Sequence, residues 1–149
     1  MTAPIAGEWA DDNPLNVATP EEAAAAVDNV AQNLYALDGQ LGALTMWWGP
    51  PIVYEPGVST RENGPLRIDL WGETGHAAVR WEPTGEIGVD PDAPAAEVDM
   101  MVMESSEAPM VTVPASVIRC TVDTARRVAA EWAQTGKRPT CVEWVPPHG

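Results

Sequence analysis

The sequence predicts an α+β fold: a largely antiparallel β-sheet with an N-terminal and a C-terminal helix packed on one face, and a short C-terminal strand. Two patterns support this prediction. Apolar residues recur at helical spacing near both ends of the chain, and between them lie short segments that alternate between apolar and polar residues. The 149 residues are the size of one domain, which we expect over 19–149 after an irregular N-terminal arm over 1–18.

The N-terminal helix begins at a clear capping signal. Thr19 is a favourable N-cap, Pro20 suits the first helical position, and Glu22 completes a T-x-x-E capping box. Gly39 is the expected stop. The residues predicted to face the core are Val27, Val30, Leu34 and Leu37.

The middle of the chain predicts short strands separated by turns. The segments with strand character are 44–48, 52–54, 65–71, 76–81, 98–104 and 110–114. In the third of these, alternation places Leu66, Ile68 and Leu70 on one face. The other face then carries Arg67, Asp69 and Trp71. The tetrapeptide 72–75 is the expected turn of a hairpin, and 83–94 is predicted to be rich in turns.

The C-terminal helix has signals at both ends. Thr121 is the predicted N-cap, and Asp123 favours the positive end of the helix dipole. Gly136 is the predicted residue just past the helix, before a short strand over 141–144. The expected apolar stripe is Val122, Ala125, Val128, Ala129 and Trp132.

Net charge is the most informative property of the composition. Eight basic residues against 22 acidic ones give a net charge of −14, whereas solubility of a small domain needs a magnitude of only about 2–8. Such a chain is repelled by nucleic acid and by anionic membranes, so direct binding to either is disfavoured and a basic partner is the natural complement. The asymmetry is strongest over 82–118, which contains eight carboxylates and no Lys or Arg.

The sequence contains no recognisable motif for catalysis, cofactor binding or metal binding. It lacks a glycine-rich phosphate loop, H-E-x-x-H, C-x-x-C and G-x-S-x-G, and we read His76 as an ordinary turn histidine. We therefore predict no catalytic residue, no metal and no cofactor. Cys120 and Cys141 are too few for a disulfide framework, and a single bridge between them stays open. With no secretory signal and no apolar run of membrane-spanning length, a cytoplasmic location is expected.

Tryptophan is the second unusual feature, because the chain has seven tryptophans and no phenylalanine. Trp47 and Trp48 are adjacent in a predicted strand, so one should be in the core and the other exposed or at an edge. Trp71 and Trp81 flank the predicted turn, and we expect them to meet across the hairpin. Tryptophan is favoured as an apolar anchor at protein interfaces.

The segment 113–144, VPASVIRCTVDTARRVAAEWAQTGKRPTCVEW, resembles the closing part of the first-numbered immunity protein family (Imm, type one) of bacterial polymorphic toxin systems. The matching positions are Thr135, Gly136, Arg138, Pro139, Val142 and Trp144. The step at 48–51, W-G-P-P, is similar to a turn after the first strand of that family. We read the motif as structural: Gly136 caps the helix, Pro139 stops it and Trp144 fills the core.

The resemblance implies a non-enzymatic inhibitor of a cognate toxin domain, for this family often a nucleic-acid deaminase. We expect a one-to-one complex in which acidic residues occlude the toxin's basic substrate cleft. The expected contact residues are Trp71, Trp81, Glu82, Glu86, Asp90, Asp92, Glu97 and Asp99. Two other functions stay open: a small carboxylate- or metal-dependent hydrolase, and an acidic mimic of DNA that inhibits a nucleic-acid-binding protein.

Overall fold

The computed structural model of the chain describes residues 5–9, 13–17, 19–32, 35–37, 40–49, 65–103 and 110–146. Two α-helices, α1 (Pro20–Gln32) and α2 (Val122–Thr135), lie in these ranges, and neither is long and apolar enough to cross a membrane. The strands are β1 (Ile5–Trp9), β2 (Asn13–Val17), β3 (Tyr35–Leu37), β4 (Gln40–Gly49), β5 (Leu66–Trp71), β6 (His76–Trp81), β7 (Glu86–Val89), β8 (Met100–Met103), β9 (Val111–Val113), β10 (Cys120–Thr121) and β11 (Glu143–Val145).

The strands form a largely antiparallel sheet with the neighbour order β11-β7-β6-β5-β4-β1-β2. Strand β10 extends one edge of β6, and β8 and β9 form a hairpin beside β4. Among the described strands, only β4 and β8 pair in parallel, through Ala43↔Val102 and Leu44↔Met103. The predicted α+β class, with a mostly antiparallel sheet, is confirmed.

Both helices pack on one face of the sheet, as predicted, and they also pack against each other. The core between the two helices and the sheet is apolar. Its sheet residues include Leu44, Met46, Trp48, Leu66, Ile68, Leu70 and Val79. Its helix residues include Val27 and Val30 from α1 and Val128 and Trp132 from α2. Complete burial of a Leu or Ile side chain contributes about 1.5–3 kcal/mol, so this layer supplies much of the driving force for folding.

Part of the opposite face of the sheet is also covered. On that face, side chains of β4, β6, β8 and β9 and of the segment after β9 form a second apolar cluster of Ala43, Ala78, Met100, Val102, Val113 and Ile118. Trp71 is partly buried against this cluster. The sheet therefore has covered surface on both sides, and α1 and α2 lie on the same side.

The predicted helix caps are present. Thr19 Oγ1 accepts the backbone N–H of Glu22 at 3.1 Å, and Thr121 Oγ1 accepts that of Thr124 at the same distance. At the other end of α2, Gly136 has a left-handed φ of 66° and its N–H donates to the carbonyl of Trp132. These bonds satisfy backbone groups that would otherwise be unpaired at helix ends.

Several predicted boundaries were wrong. The arm predicted over 1–18 contains β1 and β2, because β1 adds to the free edge of β4 through pairs such as Ala6↔Gly49. Helix α1 ends at Gln32, so Leu37 lies in β3 rather than on the helix. The segment 83–94, predicted to be rich in turns with no strand assigned, also contains β7, which pairs with β6 and β11. In each case, backbone pairing with the edge of a neighbouring strand outweighs the weak conformational preference of the local sequence.

Other differences are smaller. Trp47 and Trp48 are both buried in a strand that is paired on both sides, so the expectation that one of them is exposed or at an edge was wrong. The final strand lies at Glu143–Val145 instead of 141–144. Leu34, the predicted strand over 52–54 and most of the G-P-P turn lie outside the described residues.

Candidate partner-binding surface

Trp71 and Trp81 lie at opposite ends of the β5–β6 hairpin. The register pairs Trp71 with His76 beside the turn and Leu66 with Trp81 at the open end. A six-residue strand spans roughly 17 Å, so the two indoles are far apart and the expectation that they meet was wrong. A turn over 72–75 necessarily places residue 71 opposite residue 76.

The predicted acidic residues divide between these two ends of the sheet. Glu82 and Glu86 lie in the β6–β7 turn region beside Trp81. Asp90, Asp92, Glu97 and Asp99 lie on the 90–99 loop, which follows β7 and approaches the Trp71 end. The structure thus divides the predicted contact residues into two groups instead of one continuous surface.

The Trp81 end is closed by aromatic packing. The Trp81 ring centroid lies 5.9 Å from that of Trp132 on α2 and 6.2 Å from that of Trp144 on β11, both in inclined geometries that aromatic rings favour. The indole N–H of Trp144 donates to the carbonyl of Pro139 at 2.7 Å. Trp81 therefore packs against the core while keeping only part of its surface exposed.

The carboxylates at this end already have partners. Glu86 Oε1 accepts hydrogen bonds from Arg138 Nη1 at 2.8 Å and from Thr84 Oγ1 at 2.9 Å. The Arg138 guanidinium also lies 5.4 Å from the ring centroid of Trp144, within cation–π range. Glu82 is exposed, 3.9 Å from Arg67 Nη1. The residues of the C-terminal motif, Arg138, Pro139 and Trp144, thus contact one another, and Arg138 also contacts β7.

At the opposite end, Asp90 fastens the end of β7 to the start of α2. Its Oδ2 accepts from the hydroxyl of Thr124 and lies 3.5 Å from Arg127 Nη2, and its Oδ1 accepts the Asp92 N–H at 2.9 Å. The Thr124 hydrogen bond, the Asp92 N–H and the Arg127 charge together hold the pKa of Asp90 below its usual range. Asp90 is therefore mainly a structural residue.

The 90–99 loop presents acids of two kinds. The carboxylate of Asp99 accepts the backbone N–H of Ala115 at 2.8 Å, which fixes the end of the loop. The carboxylates of Asp92 and Glu97 are exposed and make no hydrogen bond or ion pair with any other described residue. Glu73, in the neighbouring β5–β6 turn, is equally exposed and unpaired within the same ranges. Sequence analysis missed Glu73, although its place in the predicted G-E-T-G turn is a signal for exposure.

A cleft lies between this loop and the β5–β6 turn. It has a volume of about 340 Å³ and largely apolar walls. Val98 on its rim is 59% exposed, which is unusual for a large apolar side chain. The lining residues are Trp71, Thr74, His76, Pro94, Ala95, Ala96, Glu97 and Val98.

A buried ionic cluster lies on the face of the sheet opposite the helices. Asp69 is fully buried and pairs with Arg67 at 3.1 Å and Arg80 at 2.8 Å. The hydroxyl of Thr45 donates to the same carboxylate at 2.7 Å, and the Arg67 guanidinium lies 5.4 Å from the ring centroid of Trp47. Alternation placed Arg67 and Asp69 on one face, but nothing in the sequence indicated that this face is covered.

Other reactive groups are few in the part of the chain that the structure describes. No three His, Cys, Asp or Glu side chains are grouped there so as to hold a metal ion. Cys120 and Cys141 are free thiols rather than a disulfide. Burial raises the pKa of Cys120 to about 12, and burial together with the nearby Glu131 raises that of Cys141 to about 11. Both are thiols at neutral pH.

A comparison with protein-family models matches residues 11–146 to the family described as Immunity protein Imm1. No curated protein and no solved structure matches the chain. The family match covers most of the chain, including the motif that closes it. The chain therefore belongs to the Imm1 immunity protein family, which confirms the resemblance of its C-terminal segment. It is an immunity protein, and its partner is a cognate toxin that it neutralises.

Proposed function

We propose that the cognate toxin is a nucleic-acid-modifying enzyme, specifically a deaminase, and that the chain neutralises it in a one-to-one complex by covering its basic substrate cleft. The chain acts in the cytoplasm and performs no catalysis of its own in this role. Inhibition then needs only a surface that complements the toxin in shape and charge.

The observation that carries this proposal is how the charges of the protein are arranged. Ion pairs with carboxylates of the same chain occupy Arg67, Arg80, Arg126, Arg127 and Arg138. Glu73, Asp92 and Glu97 remain exposed and unpaired among the described residues at one end of the sheet. In a chain of net charge −14, five of the eight Lys and Arg side chains are thus paired internally, and these three carboxylates are available to a basic partner.

An enzyme that acts on nucleic acid needs a basic groove for the phosphate backbone. Free carboxylates on a partner protein complement that groove, accelerate encounter and compete with the substrate. The proposal therefore predicts rapid association that slows as ionic strength rises, and mutually exclusive binding of the immunity protein and nucleic acid.

The test uses the purified toxin domain encoded beside this chain's gene. Association rates are measured from about 50 to about 500 mM salt, a range that shortens the Debye length several-fold. A single-stranded oligonucleotide is the competitor, and conversion of its cytosines to uracils is the activity readout. Salt-sensitive association, competition and loss of deamination are expected. Tight binding that is indifferent to both salt and oligonucleotide would disprove occlusion of a basic cleft, and a toxin with another activity would disprove the deaminase assignment.

A matched pair of variants tests the surface itself. Asp92→Asn removes one exposed charge at the proposed interface and should lower the association rate about two- to threefold at low salt. Glu21→Gln makes the same change in the first turn of α1. Because Ala31 near the C-terminal end of α1 lies against Gly72 of the β5–β6 turn, Glu21 is about 15 Å from that contact along the helix. It should leave association unchanged, and equal effects of the two substitutions would argue against this surface.

A further inference from the structure

The cleft between the β5–β6 turn and the 90–99 loop is large enough to receive one side chain of a partner protein. Trp71 and His76 lie opposite each other in the register of the hairpin, next to the turn, and Thr74 belongs to the turn itself. The opposite wall is the segment 94–98. At about 340 Å³ the cleft is at the lower end of the range for small-molecule pockets, so it is better matched to a protruding side chain than to a large ligand.

The loop wall of the cleft is held at both ends. At its start, Asp90 accepts the Asp92 N–H and the hydroxyl of Thr124, and at its end Asp99 accepts the Ala115 N–H. The residues between these anchors present apolar atoms to the cleft. A wall fixed in this way is formed before a partner arrives, which lowers the entropic cost of binding.

The two carboxylates at the cleft, Glu73 and Glu97, have the same negative sign. Glu97 lines the cleft, and Glu73 precedes Thr74 on the turn that forms its other side. Neither carboxylate has a hydrogen bond or ion pair within the ranges that the structure describes. Apolar walls with free carboxylates beside them favour an occupant that has an aliphatic stem and a positive end.

We infer that this cleft receives one arginine side chain of the toxin, with its methylene stem against Trp71 and Val98 and its guanidinium at the Glu97 carboxylate. The inference rests on the proposed basic cleft of the toxin. Arginine fits better than lysine because its planar guanidinium forms paired hydrogen bonds with a carboxylate, whereas the lysine ammonium is a point charge. Trp71 contacts the aliphatic stem in this arrangement, and Glu97 recognises the charge.

The first experiment measures the dissociation constant of the complex with the toxin domain encoded beside this gene. Glu97→Gln keeps the shape of the side chain and removes its charge, and Val98→Ser removes exposed apolar surface; each should weaken binding about tenfold. Glu21→Gln and Met101→Ser are the matched controls, since Met101 is 39% exposed outside the cleft. All four positions are exposed, and equal thermal midpoints would show that folding is unaffected.

The second experiment identifies the occupant by double-mutant cycles. Each surface arginine of the toxin is replaced by glutamine and tested against wild type and Glu97→Gln. Replacement of one particular toxin arginine should weaken binding to the wild-type immunity protein about tenfold. The same replacement should cause almost no further loss of affinity for the Glu97→Gln variant. If the wild type binds but no arginine couples to Glu97, or a lysine couples instead, the inference is wrong and the proposed function stands. If the wild type does not bind this toxin, both are wrong.

Discussion

The guanidinium of Arg80 lies 2.8 Å from the carboxylate of Asp69, and the Asp69 side chain is completely inaccessible to solvent. Arg67 contacts the same carboxylate from its own strand at 3.1 Å. One buried carboxylate therefore contacts two guanidinium groups, and of these Arg67 also lies 3.9 Å from the exposed Glu82. Such an arrangement depends strongly on the central member, because its removal leaves uncompensated charges in a medium of low polarity.

Replacing Asp69 should therefore destabilise the fold severely. Asp69→Asn preserves the volume but not the charge, and we expect it to lower the free energy of unfolding by about 3–5 kcal/mol. Urea denaturation followed by tryptophan fluorescence measures the change. Asp92→Asn makes the same substitution at an exposed site and should cost no more than about 0.5 kcal/mol. Equal stability of the two variants would contradict the structural role assigned to Asp69.

The Asp90 carboxylate should make stability depend on pH in the acidic range. Its pKa is lowered in the folded protein, chiefly by the Thr124 hydrogen bond, so the folded state binds a proton less readily than the unfolded state. The stability contributed by Asp90 is fully present above the unfolded pKa of about 3.9. It is lost as pH falls through the lower pKa of the folded state.

The measurement for Asp90 compares urea midpoints of wild type and Asp90→Asn at neutral pH and at several values below about pH 4. The difference in stability should be largest at neutral pH and should shrink as pH falls. Thr124→Val removes the main cause of the pKa shift and should reduce the same acid-sensitive part of stability. A difference that stays constant down to the lowest pH would show that the Asp90 charge has no role in joining β7 to α2.

Thiol labelling should distinguish the two cysteines in the native protein. Cys120 is buried and its thiol donates to the carbonyl of Gly88 at 3.3 Å, so a disulfide reagent should reach it only after unfolding. Cys141 is exposed but has a pKa of about 11. Near pH 8 its lower thiolate fraction, partly offset by the greater nucleophilicity of a more basic thiolate, should slow labelling roughly tenfold relative to an unperturbed cysteine.

Labelling of wild type, Cys120→Ala and Cys141→Ala with Ellman's reagent tests this directly. Native Cys141→Ala should remain unlabelled over the period in which native Cys120→Ala reacts completely. In denaturant, the two variants should react at similar rates. Rapid native labelling of Cys120 would show that β10 opens frequently from the edge of β6.

Local signals of the sequence were enough to predict the elements whose ends are marked by side chains. The caps at Thr19, Thr121 and Gly136 and the hairpin around 72–75 have local causes, and the structure contains them. Strands β1, β2 and β7 could not be predicted in this way. They exist because an edge of the sheet offers hydrogen-bond partners from distant parts of the chain.

The candidate surface shows the same limit. Sequence identified Asp92 and Glu97 as acids on a loop, and the structure places both in solvent. It could not distinguish them from Asp90, Asp99 and Glu86, which already hold the fold together through Thr124, Ala115 and Arg138. Charge is visible in a sequence, but whether a charge has a partner depends on tertiary contacts.

Substitution of two glycines of the β5–β6 turn tests whether α1 packs against this turn. A Cβ atom added to Gly72 would lie 1.7 Å from the carbonyl oxygen of Ala31 near the end of α1, so the backbone itself would have to move. Gly75 has φ of +80° and nothing within 4 Å of such an atom. Gly75→Ala should therefore cost only about 1–2 kcal/mol of backbone strain.

Gly72→Ala should cost about 3 kcal/mol because close packing against backbone is harder to relieve than strain in an open turn. Urea denaturation gives both values, and amide hydrogen exchange should show faster exchange in the last turn of α1 for Gly72→Ala alone. This order of effects follows from the contact between turn and helix. The reverse order, with Gly75→Ala the more damaging, would mean that the turn conformation controls stability there and that α1 does not rest against Gly72.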